Sequence, residues 1–569
     1  MKKKNKLVHL DTPFVEKFDK TQPLQEYPRP NLRRSSYCNL NGEWDFCISK
    51  SSSLPKEYEG KIVVPYPLES KLSGVQRELK SNEYLYYRLN FYVQKEFRKD
   101  IDLLHIDAVD QEAEIYLNGV LVGKTNNGYI PNTFDVTPFL VSGANELIVQ
   151  VRDRLDTKYP YGKQRKKRGG MWYTPCSGIW KTVWLESVSK NYIKDIKVTT
   201  LPTLDGIKLH LDTLAENKLI SVQVKDKVIY SLNTKENDIE IKIDNPQLWS
   251  PENPFLYDLH IETKDDDVTS YFAIRTIELK DKKILLNKKE IFCNGVLDQG
   301  YYPDGIYTPA SYEAYAFDIL SMKNLGFNML RKHIKIEPLY FYYMCDVYGM
   351  LVFQDMVNNS SYSFLHDTVY PTVIKNPKRS DKHLHKRHNH IFVDSMTRTV
   401  KLLEFFPSIV LWTIYNEGWG QHDADKMHDI LLSLDNTRLI DDTSGWFEQK
   451  KNMFDSLHIY FRKVYVREKD PRPTYLSEFG GYSYKVDGHI ANPDNAYGYG
   501  SYQTQEEFEE AFLNLYRNEI LPLKDKLVAT VYTQVSDVED EINGLLTYDR
   551  KVLKVNPEHV AEVMKQLKR

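Results

Sequence analysis

Two glutamates stand out because each closes a short apolar run that is typical of a buried strand. Glu417 follows the run at residues 409–415, and Glu478 follows the run at residues 474–476. Cleavage of a glycosidic bond needs a carboxylic acid that protonates the leaving oxygen and a carboxylate that faces the anomeric carbon. Carboxyl groups ~5–5.5 Å apart give retention of configuration, whereas a gap of ~6.5–9.5 Å gives inversion. The two glutamates are therefore candidates for this chemistry.

Polar residues also follow the other apolar runs in this part of the chain. One polar residue at a strand end is routine, but eight predicted strands that all end this way indicate a binding cavity, because bulky apolar residues would otherwise cap the sheet. The polar residues are Asp298 and Gln299, Arg331 and His333, Gln354 and Asp355, Asn416 and Glu417, Asp442, Tyr460, Glu478 and Gln534.

These strand ends belong to residues 279–569, where apolar runs alternate with helical periods. Eight such β-α units match a (β/α)8 TIM barrel, in which catalytic groups lie at the C-terminal ends of the strands. Glu417 and Glu478 then lie on the fourth and seventh strands, roughly opposite each other. The predicted strands are residues 291–296, 328–330, 351–353, 409–415, 439–441, 456–459, 474–476 and 528–533. The predicted helices are residues 311–325, 338–348, 387–405, 424–434 and 504–518.

The first 278 residues are predicted to be β-structure in two domains. Residues 1–190 contain short strand-forming segments, such as 84–91 and 113–117, separated by turn pairs such as Asn118-Gly119, which favours a jelly-roll β-sandwich. Residues 191–278 contain short strands with regular turns, which favours an immunoglobulin-like β-sandwich. The expected fold is thus a multidomain β and α/β protein that ends in a TIM barrel.

The composition excludes some classes of partner. The net charge is only −3, so electrostatics gives no reason to expect nucleic acid or an anionic membrane as the main partner. No run reaches the ~18–20 apolar residues that span a bilayer, and the basic N-terminus lacks the apolar core of a signal peptide. The five cysteines are scattered and odd in number, which favours reduced thiols and a cytoplasmic location.

Two charged clusters have an alternative, functional interpretation. The basic run at residues 163–168 lies in a Gly- and Tyr-rich stretch and is predicted to be an exposed loop; an anion site is the alternative. The histidine-rich run at residues 383–390 invites a metal site, but it has no adjoining Cys and no flanking carboxylate except Asp381. A solvated loop that enters a helix is the preferred interpretation, and no metal is expected.

Several segments together resemble glycoside hydrolase family 2, which includes β-galactosidases, β-glucuronidases and β-mannosidases. Residues 406–419 resemble its acid/base signature, residues 475–481 its nucleophile segment, and residues 326–333 its second-strand motif. Residues 40–44, 116–119 and 178–180 are similar to segments of its jelly roll, and residues 248–254 to a segment of its immunoglobulin-like domain. The resemblance therefore extends over essentially the whole chain.

The resemblance implies a role for each candidate residue. Glu417 would be the general acid/base and Glu478 the nucleophile of a retaining exo-β-glycosidase, with a glycoside or oligosaccharide as substrate. Asn416 would bind the 2-hydroxyl, Tyr460 would orient Glu478, and Arg331 would keep Glu478 ionised. Further candidates for sugar contacts are His333, Asp298, Asp355 and Trp446. No cofactor is implied, and the family's frequent dimers and tetramers are compatible with a homo-oligomer.

Two departures from the family pattern bear on the sugar. Glu541-Ile542-Asn543-Gly544 stands where family glucuronidases carry an Asn-x-Lys-Gly motif for the uronate, and a carboxylate beside Glu541 would be repelled. Tyr532 stands where the eighth strand usually supplies a tryptophan platform. The first departure argues against a glucuronidase, and the second leaves the identity of the sugar open. A β-galactosidase-like specificity is the preferred prediction.

Two alternatives share this scaffold. A transglycosylase would use the same catalytic residues and differ only in the acceptor. A non-catalytic carbohydrate-binding protein is the alternative from another class, since a fold does not guarantee a function. Loss of either carboxylate would favour it, and both Glu417 and Glu478 are present.

Overall fold

The structure is a computed structural model that describes residues 7–373 and 388–569. Its N-terminal strands are β1 (Tyr37–Asn39), β2 (Gly42–Ser49), β3 (Gly60–Val64), β4 (Tyr84–Val93), β5 (Ile101–Ile106), β6 (Val109–Asp110), β7 (Glu112–Leu117), β8 (Val120–Thr125), β9 (Asn132–Asp135), β10 (Gly143–Arg152), β11 (Gly178–Ile179) and β12 (Val183–Val188). A six-stranded sheet, β3-β2-β4-β10-β7-β8, and a four-stranded sheet, β1-β12-β5-β9, form the predicted jelly-roll sandwich. Alternation fixes the buried face, as in β7, where Ala113, Ile115 and Leu117 enter the core.

A second β-sandwich follows, as predicted. Its strands are β13 (Ile193–Thr200), β14 (Gly206–Thr213), β15 (Lys218–Val224), β16 (Lys227–Thr234), β17 (Asp238–Lys242), β18 (Tyr257–Thr263) and β19 (Asp267–Phe272). They form a three-stranded sheet, β13-β14-β17, and a four-stranded sheet, β16-β15-β18-β19. A small antiparallel sheet of β20 (Ile277–Lys280), β21 (Lys283–Leu286) and β22 (Lys289–Glu290) leads into the barrel. The domain limits at residues 190 and 278 stay predictions, and the second falls within β20.

The C-terminal domain is a nearly closed parallel barrel, and all eight predicted runs are strands. They are β23 (Cys293–Asp298), β24 (Met329–Lys332), β25 (Leu351–Asp355), β26 (Ile409–Asn416), β27 (Leu439–Ser444), β28 (Asp455–Ile459), β29 (Thr474–Gly480) and β32 (Leu527–Thr533). The sheet order is β27-β26-β25-β24-β23-β32-β29-β28, which leaves β27 and β28 adjacent at the seam. The short strands β30 (Tyr482–Tyr484) and β31 (Gly500–Tyr502) pair outside the barrel, in the segment that follows β29.

Helices cover the outside of the barrel. They are α1 (Glu313–Asn324), α2 (Leu339–Tyr348), α3 (Tyr370–Val373), α4 (Asn389–Leu403), α5 (Ala424–Leu434), α6 (Gln505–Leu515) and α7 (Pro557–Lys565). The sequence predictions omitted α7, although its start is signalled by Pro557 and by Asn556, whose side chain accepts hydrogen bonds from the backbone of Glu558 and His559. Among the residues that the structure describes, no helix is long and apolar enough to cross a membrane.

The segment that carries the basic run docks on the barrel mouth, so the prediction of an exposed loop was wrong for part of it. Lys163 and Gln164 are buried, whereas Arg165 and Lys167 are exposed. The local sequence indicates a solvated run, because it does not show the contacts that Lys163 and Gln164 make with residues distant in the chain. In the histidine-rich run, residues 383–387 lie outside the described residues.

Arg34 ties the jelly roll to the middle domain. Its guanidinium donates to both oxygens of Asp266 at 2.9 Å and to Glu186, in β12, at 3.3 Å. All three side chains are nearly inaccessible to solvent. The ion pairs therefore hold a charged cluster that neither domain could bury alone.

We expect Arg34→Met to destabilise the protein by roughly 3 kcal/mol, because buried Asp266 loses its counter-charge and Glu186 keeps only Arg29 and His105 as partners. Urea unfolding followed by tryptophan fluorescence measures the change. The exposed neighbour provides the control, and Arg33→Met should change the free energy of unfolding by less than about 0.5 kcal/mol. Equal effects of the two substitutions would contradict the assigned role of the cluster.

Candidate active site

The two predicted glutamates meet at the barrel mouth. Glu417 directly follows β26, and Glu478 lies in β29. One carboxylate oxygen of each residue lies within 4.8 Å of the other. Glu417 has a left-handed backbone, with φ of 52°, and its N–H donates to the carbonyl of Ser444 at 2.9 Å. This turn directs the side chain of Glu417 across the mouth instead of along the strand.

A β-bulge in β29 aims Glu478 inwards. Tyr475 packs inside the barrel against Phe353, so strict alternation would also point Phe479 inwards. The register shifts between Leu476 and Phe479, however, and Phe479 packs against Tyr516 on the helix side. The irregularity therefore turns Glu478 towards the mouth, which is a common use of bulges beside functional sites.

Arg331 joins three strands beneath the mouth. Its fully buried guanidinium forms two bonds with Asp355, at 3.0 and 3.1 Å. It also donates to Oδ1 of Asn416 at 2.8 Å, to Oε1 of Glu478 at 3.2 Å and to the carbonyl of Ser477 at 3.0 Å. One cation thereby fixes the positions of Asn416 and Glu478 relative to each other.

The other predicted acidic and basic residues lie around this centre, and protein groups already bind most of them. Asp355 accepts from His333 Nδ1 at 2.9 Å in addition to Arg331. Asp298 accepts from Lys332 at 2.6 Å, and both side chains are buried. Burial lowers the pKa of His333 to about 3, so its ring is neutral at ordinary pH. His333 lies beside Asp355 in the same network.

Of the aromatic candidates, the structure brings Tyr460 and Trp446 to the site but not Tyr532. The Tyr460 hydroxyl donates to Oε2 of Glu478, and the Tyr460 ring stacks on Tyr499 at 3.9 Å. The half-buried Trp446 lies 5.7 Å from the ring of His458. Tyr532 packs against Phe512 of α6 at 4.8 Å, on the helix side of β32. Tyr532 therefore cannot provide the predicted platform.

His458 is a site residue that the sequence interpretation missed. Its Nδ1 lies 2.8 Å from Oε1 of Glu417 and 3.5 Å from Oε2 of Glu478, and its Nε2 lies 2.9 Å from Oγ of Ser444. Burial lowers its pKa to about 4. The signal was present in the sequence, because His458 and Tyr460 are two residues apart and therefore share a strand face.

The two carboxyls have different electrostatic environments. Burial raises the pKa of Glu417 to about 7, and the positive charges of Lys163 and Arg331 oppose the shift. Burial also raises the pKa of Glu478, against the positive charge of Arg331 and the hydrogen bond from Tyr460. Glu417, with a pKa of about 7, can therefore hold a proton near neutral pH.

The jelly-roll domain completes one wall of the mouth. Trp172 stacks on Trp419 at 5.2 Å between ring centroids. The hydroxyls of Tyr173 and Tyr497 donate to the two oxygens of Glu541, which is buried. The repulsion of a uronate predicted from the sequence assumed a carboxylate free to face the substrate. Both oxygens of Glu541 are instead held by tyrosines, one from each domain, although its negative charge contributes to the raised pKa of Glu417.

Glu417, His458 and Glu478 could also hold a metal ion, because one nitrogen and two carboxylate oxygens lie within 4.8 Å of one another. A metal there would occupy both carboxylates and make them unavailable for acid–base chemistry. Hydrolysis by two carboxylates requires no metal.

Three family models match consecutive parts of the chain. The model described as "Glycosyl hydrolases family 2, TIM barrel domain" matches residues 277–567, which is more than half of the chain. The chain belongs to glycosyl hydrolase family 2. The models "Glycosyl hydrolase 2 galactose-binding domain-like" and "Glycosyl hydrolases family 2" match residues 64–199 and 187–275 of this family member. The resemblance identified from sequence motifs is thereby confirmed.

Two curated β-galactosidases match this family member at low identity. A β-galactosidase from Thermoanaerobacter pseudethanolicus is 26% identical over 379 residues, which cover 62% of this chain and 47% of the relative. A β-galactosidase from Staphylococcus xylosus is 24% identical over 497 residues, which cover 79% and 46%. The chain thus spans about half the length of the curated relatives it matches.

Solved structures match over almost the full length. A β-D-glucuronidase from Dictyoglomus thermophilum has a TM-score of 0.75 and 18% identity, over 95% of this chain and 98% of that one. A β-galacturonidase from Eisenbergiella tayi has a TM-score of 0.69 and 17% identity, over 94% and 97%. At these identities the likeness shows the fold, and it confirms the predicted order of two β-sandwiches and a barrel.

Proposed function

We propose that this family 2 protein is a retaining exo-β-glycosidase that removes terminal β-linked sugars in two displacement steps. The observation that carries the proposal is the short distance between Glu417 and Glu478, whose nearest oxygens lie within 4.8 Å. Such a gap fits direct attack by one carboxylate, because an inverting site needs ~6.5–9.5 Å between its carboxyls to admit a water molecule.

The electrostatic difference between the carboxyls supports an assignment of roles. Glu417, with a pKa of about 7, would protonate the leaving oxygen and later deprotonate the attacking water. Glu478, held by Arg331 and Tyr460, would attack the anomeric carbon and form the glycosyl-enzyme. Arg331 binds Oδ1 of Asn416, so the amide nitrogen of Asn416 would be available to a sugar hydroxyl.

The jelly-roll wall supports action at chain ends. Trp172 packs on Trp419, directly after the Glu417 turn, and so closes one side of the mouth. A mouth closed on one side would admit a terminal sugar more readily than the middle of a long chain. For the sugar itself we propose a β-galactoside type, because curated relatives named β-galactosidase are among the matches. A cytoplasmic location, supported by five free cysteines, also stays a proposal.

A panel of aryl β-galactoside, glucoside, mannoside, arabinoside and glucuronide tests the proposed activity. We expect phenol release from at least one of them, with the galactoside preferred. Glu478→Gln should reduce kcat at least about 1000-fold, because the nucleophile is lost. Glu417→Ala should slow substrates with poor leaving groups by roughly 100-fold or more and activated dinitrophenyl substrates far less.

The matched control for these variants is Glu448→Gln. Burial raises the pKa of Glu448 to about 7, as in Glu417, but Glu448 binds Arg472 and lies outside the proposed machinery. We expect this variant to keep activity within about threefold of the wild type. No release from any glycoside by the wild type would favour the carbohydrate-binding alternative, and a dominant sugar-transfer product would favour the transglycosylase.

The pH dependence of kcat/KM should show an alkaline limb near pH 7. Glu417 is protonated below its pKa of about 7 and loses its acid function above it. A pH profile on a substrate with a poor leaving group measures this limb. In Glu417→Gln, assayed on a dinitrophenyl glycoside, the limb should disappear. An unchanged limb in that variant would assign the titration to another group.

A further inference from the structure

Lys163 of the jelly-roll domain is a buried cation at the barrel mouth with no acidic partner. Only 6% of its surface is exposed. Its Nζ lies 5.3 Å from the ring centroid of Trp419 and 5.7 Å from that of Tyr173. Among residues 7–373 and 388–569, no oxygen atom accepts a hydrogen bond from it or forms an ion pair with it.

The position of Lys163 is fixed by the interface around it. The backbone of residue 163 bonds to that of Tyr173, whose hydroxyl donates to Glu541. Two further contacts hold the same segment on the barrel: Arg168 forms an ion pair with Asp540 at 2.9 Å, and the N–H of Thr174 donates to Glu539 at 2.9 Å. The backbone that carries Lys163 is therefore fixed in the wall of the mouth.

Lys163 also acts on the proposed catalytic groups. Its positive charge lowers the pKa of Glu417, His333 and His458, which lie on three different strands or strand ends of the barrel. Nζ also lies 5.3 Å from the ring centroid of Trp419, which is two residues after Glu417, so the ammonium is on the side of the wall that faces these groups. The side chain of Lys163 is thus directed towards the site and not towards bulk solvent.

Among the described residues, no carboxylate forms an ion pair with this ammonium. Both oxygens of Glu541 accept from tyrosines. Oε1 of Glu417 contacts His458, and the pKa of about 7 leaves Glu417 substantially protonated near neutral pH. An ammonium in a largely enclosed site gains from a hydrogen-bond acceptor of opposite charge. An anionic ligand would supply the missing partner.

We propose that Lys163 is a substrate-binding residue that recognises an anionic oxygen group, a carboxylate or a sulfate ester, on the glycoside. The inference rests on the proposed function, since it assigns the substrate class of the same site. It also revives the anion-site interpretation of the basic run for Lys163, while the exposed Arg165 and Lys167 take no part. An anionic group would then bind at the jelly-roll wall, and not at the loop after the eighth barrel strand, where Glu541 lies.

Three p-nitrophenyl glycosides with the same leaving group test the proposal: a β-galactoside, its C6-oxidised β-galacturonide and its O6-sulfated form. Assays at about pH 6 keep Glu417 mainly protonated, so a shifted pKa of Glu417 cannot imitate a binding defect. In Lys163→Met we expect kcat/KM for at least one anionic glycoside to fall roughly 10- to 100-fold, the loss expected for a buried charge-assisted hydrogen bond. The neutral galactoside should change less than about threefold.

The exposed Lys167 provides the control, and Lys167→Met should change none of the three rates more than about twofold. The substrate whose kcat/KM falls identifies the anionic group. A loss on the galacturonide alone assigns a carboxylate, and a loss on the sulfated sugar alone assigns a sulfate. Equal losses on neutral and anionic substrates, or a wild type that cleaves only the neutral one, would overturn the assignment. If Lys163→Met does not fold, Lys163→Gln takes its place.

A wild type that cleaves none of the three glycosides would contradict the proposed function without deciding the role of Lys163. Calorimetric binding of methyl β-galacturonide and O6-sulfated methyl β-galactoside then decides it. We expect the wild type to bind one of them at least about tenfold more tightly than Lys163→Met does. Equal affinities for both ligands would overturn the assignment.

Discussion

The guanidinium of Arg331 is the constraint on which the barrel mouth depends. It is fully buried, and its N–H groups bind Asp355, Asn416 and Glu478, which come from three different strands. A buried cation must be paired, so these partners cannot move independently. The separation of Glu417 and Glu478, and with it the proposed retaining chemistry, follows from strands that converge on this one charge.

The mouth is completed by a domain that is distant in sequence. Tyr173 and Trp172 of the jelly roll contact Glu541 and Trp419 of the barrel. These contacts bury a tyrosine–carboxylate cluster and place Lys163 beside the proposed acid. The barrel would thus provide the chemistry common to the family, and the jelly-roll segment would contribute to the choice of substrate.

Much of the fold was predictable because its signals are local. Apolar runs with polar ends marked all eight barrel strands, and the motif around Glu417 identified the family. The failures concern side-chain direction and long-range contact. Tyr532 was assigned to the site, yet Thr533 contacts Tyr460 at 3.0 Å and alternation places Tyr532 on the other face. For Lys163 an anion site was only the alternative to an exposed loop, because its contact with Trp419 is more than 200 residues away along the chain.

The central claim is that Glu478 attacks the sugar directly across the short gap from Glu417. Proton NMR of the first product formed from an aryl β-glycoside tests it most directly, before mutarotation mixes the anomers. The short distance predicts that the β-anomer forms first, because two inversions restore the original configuration. An α-anomer as the first product would mean a single displacement by water and would contradict the role of Glu478 as nucleophile.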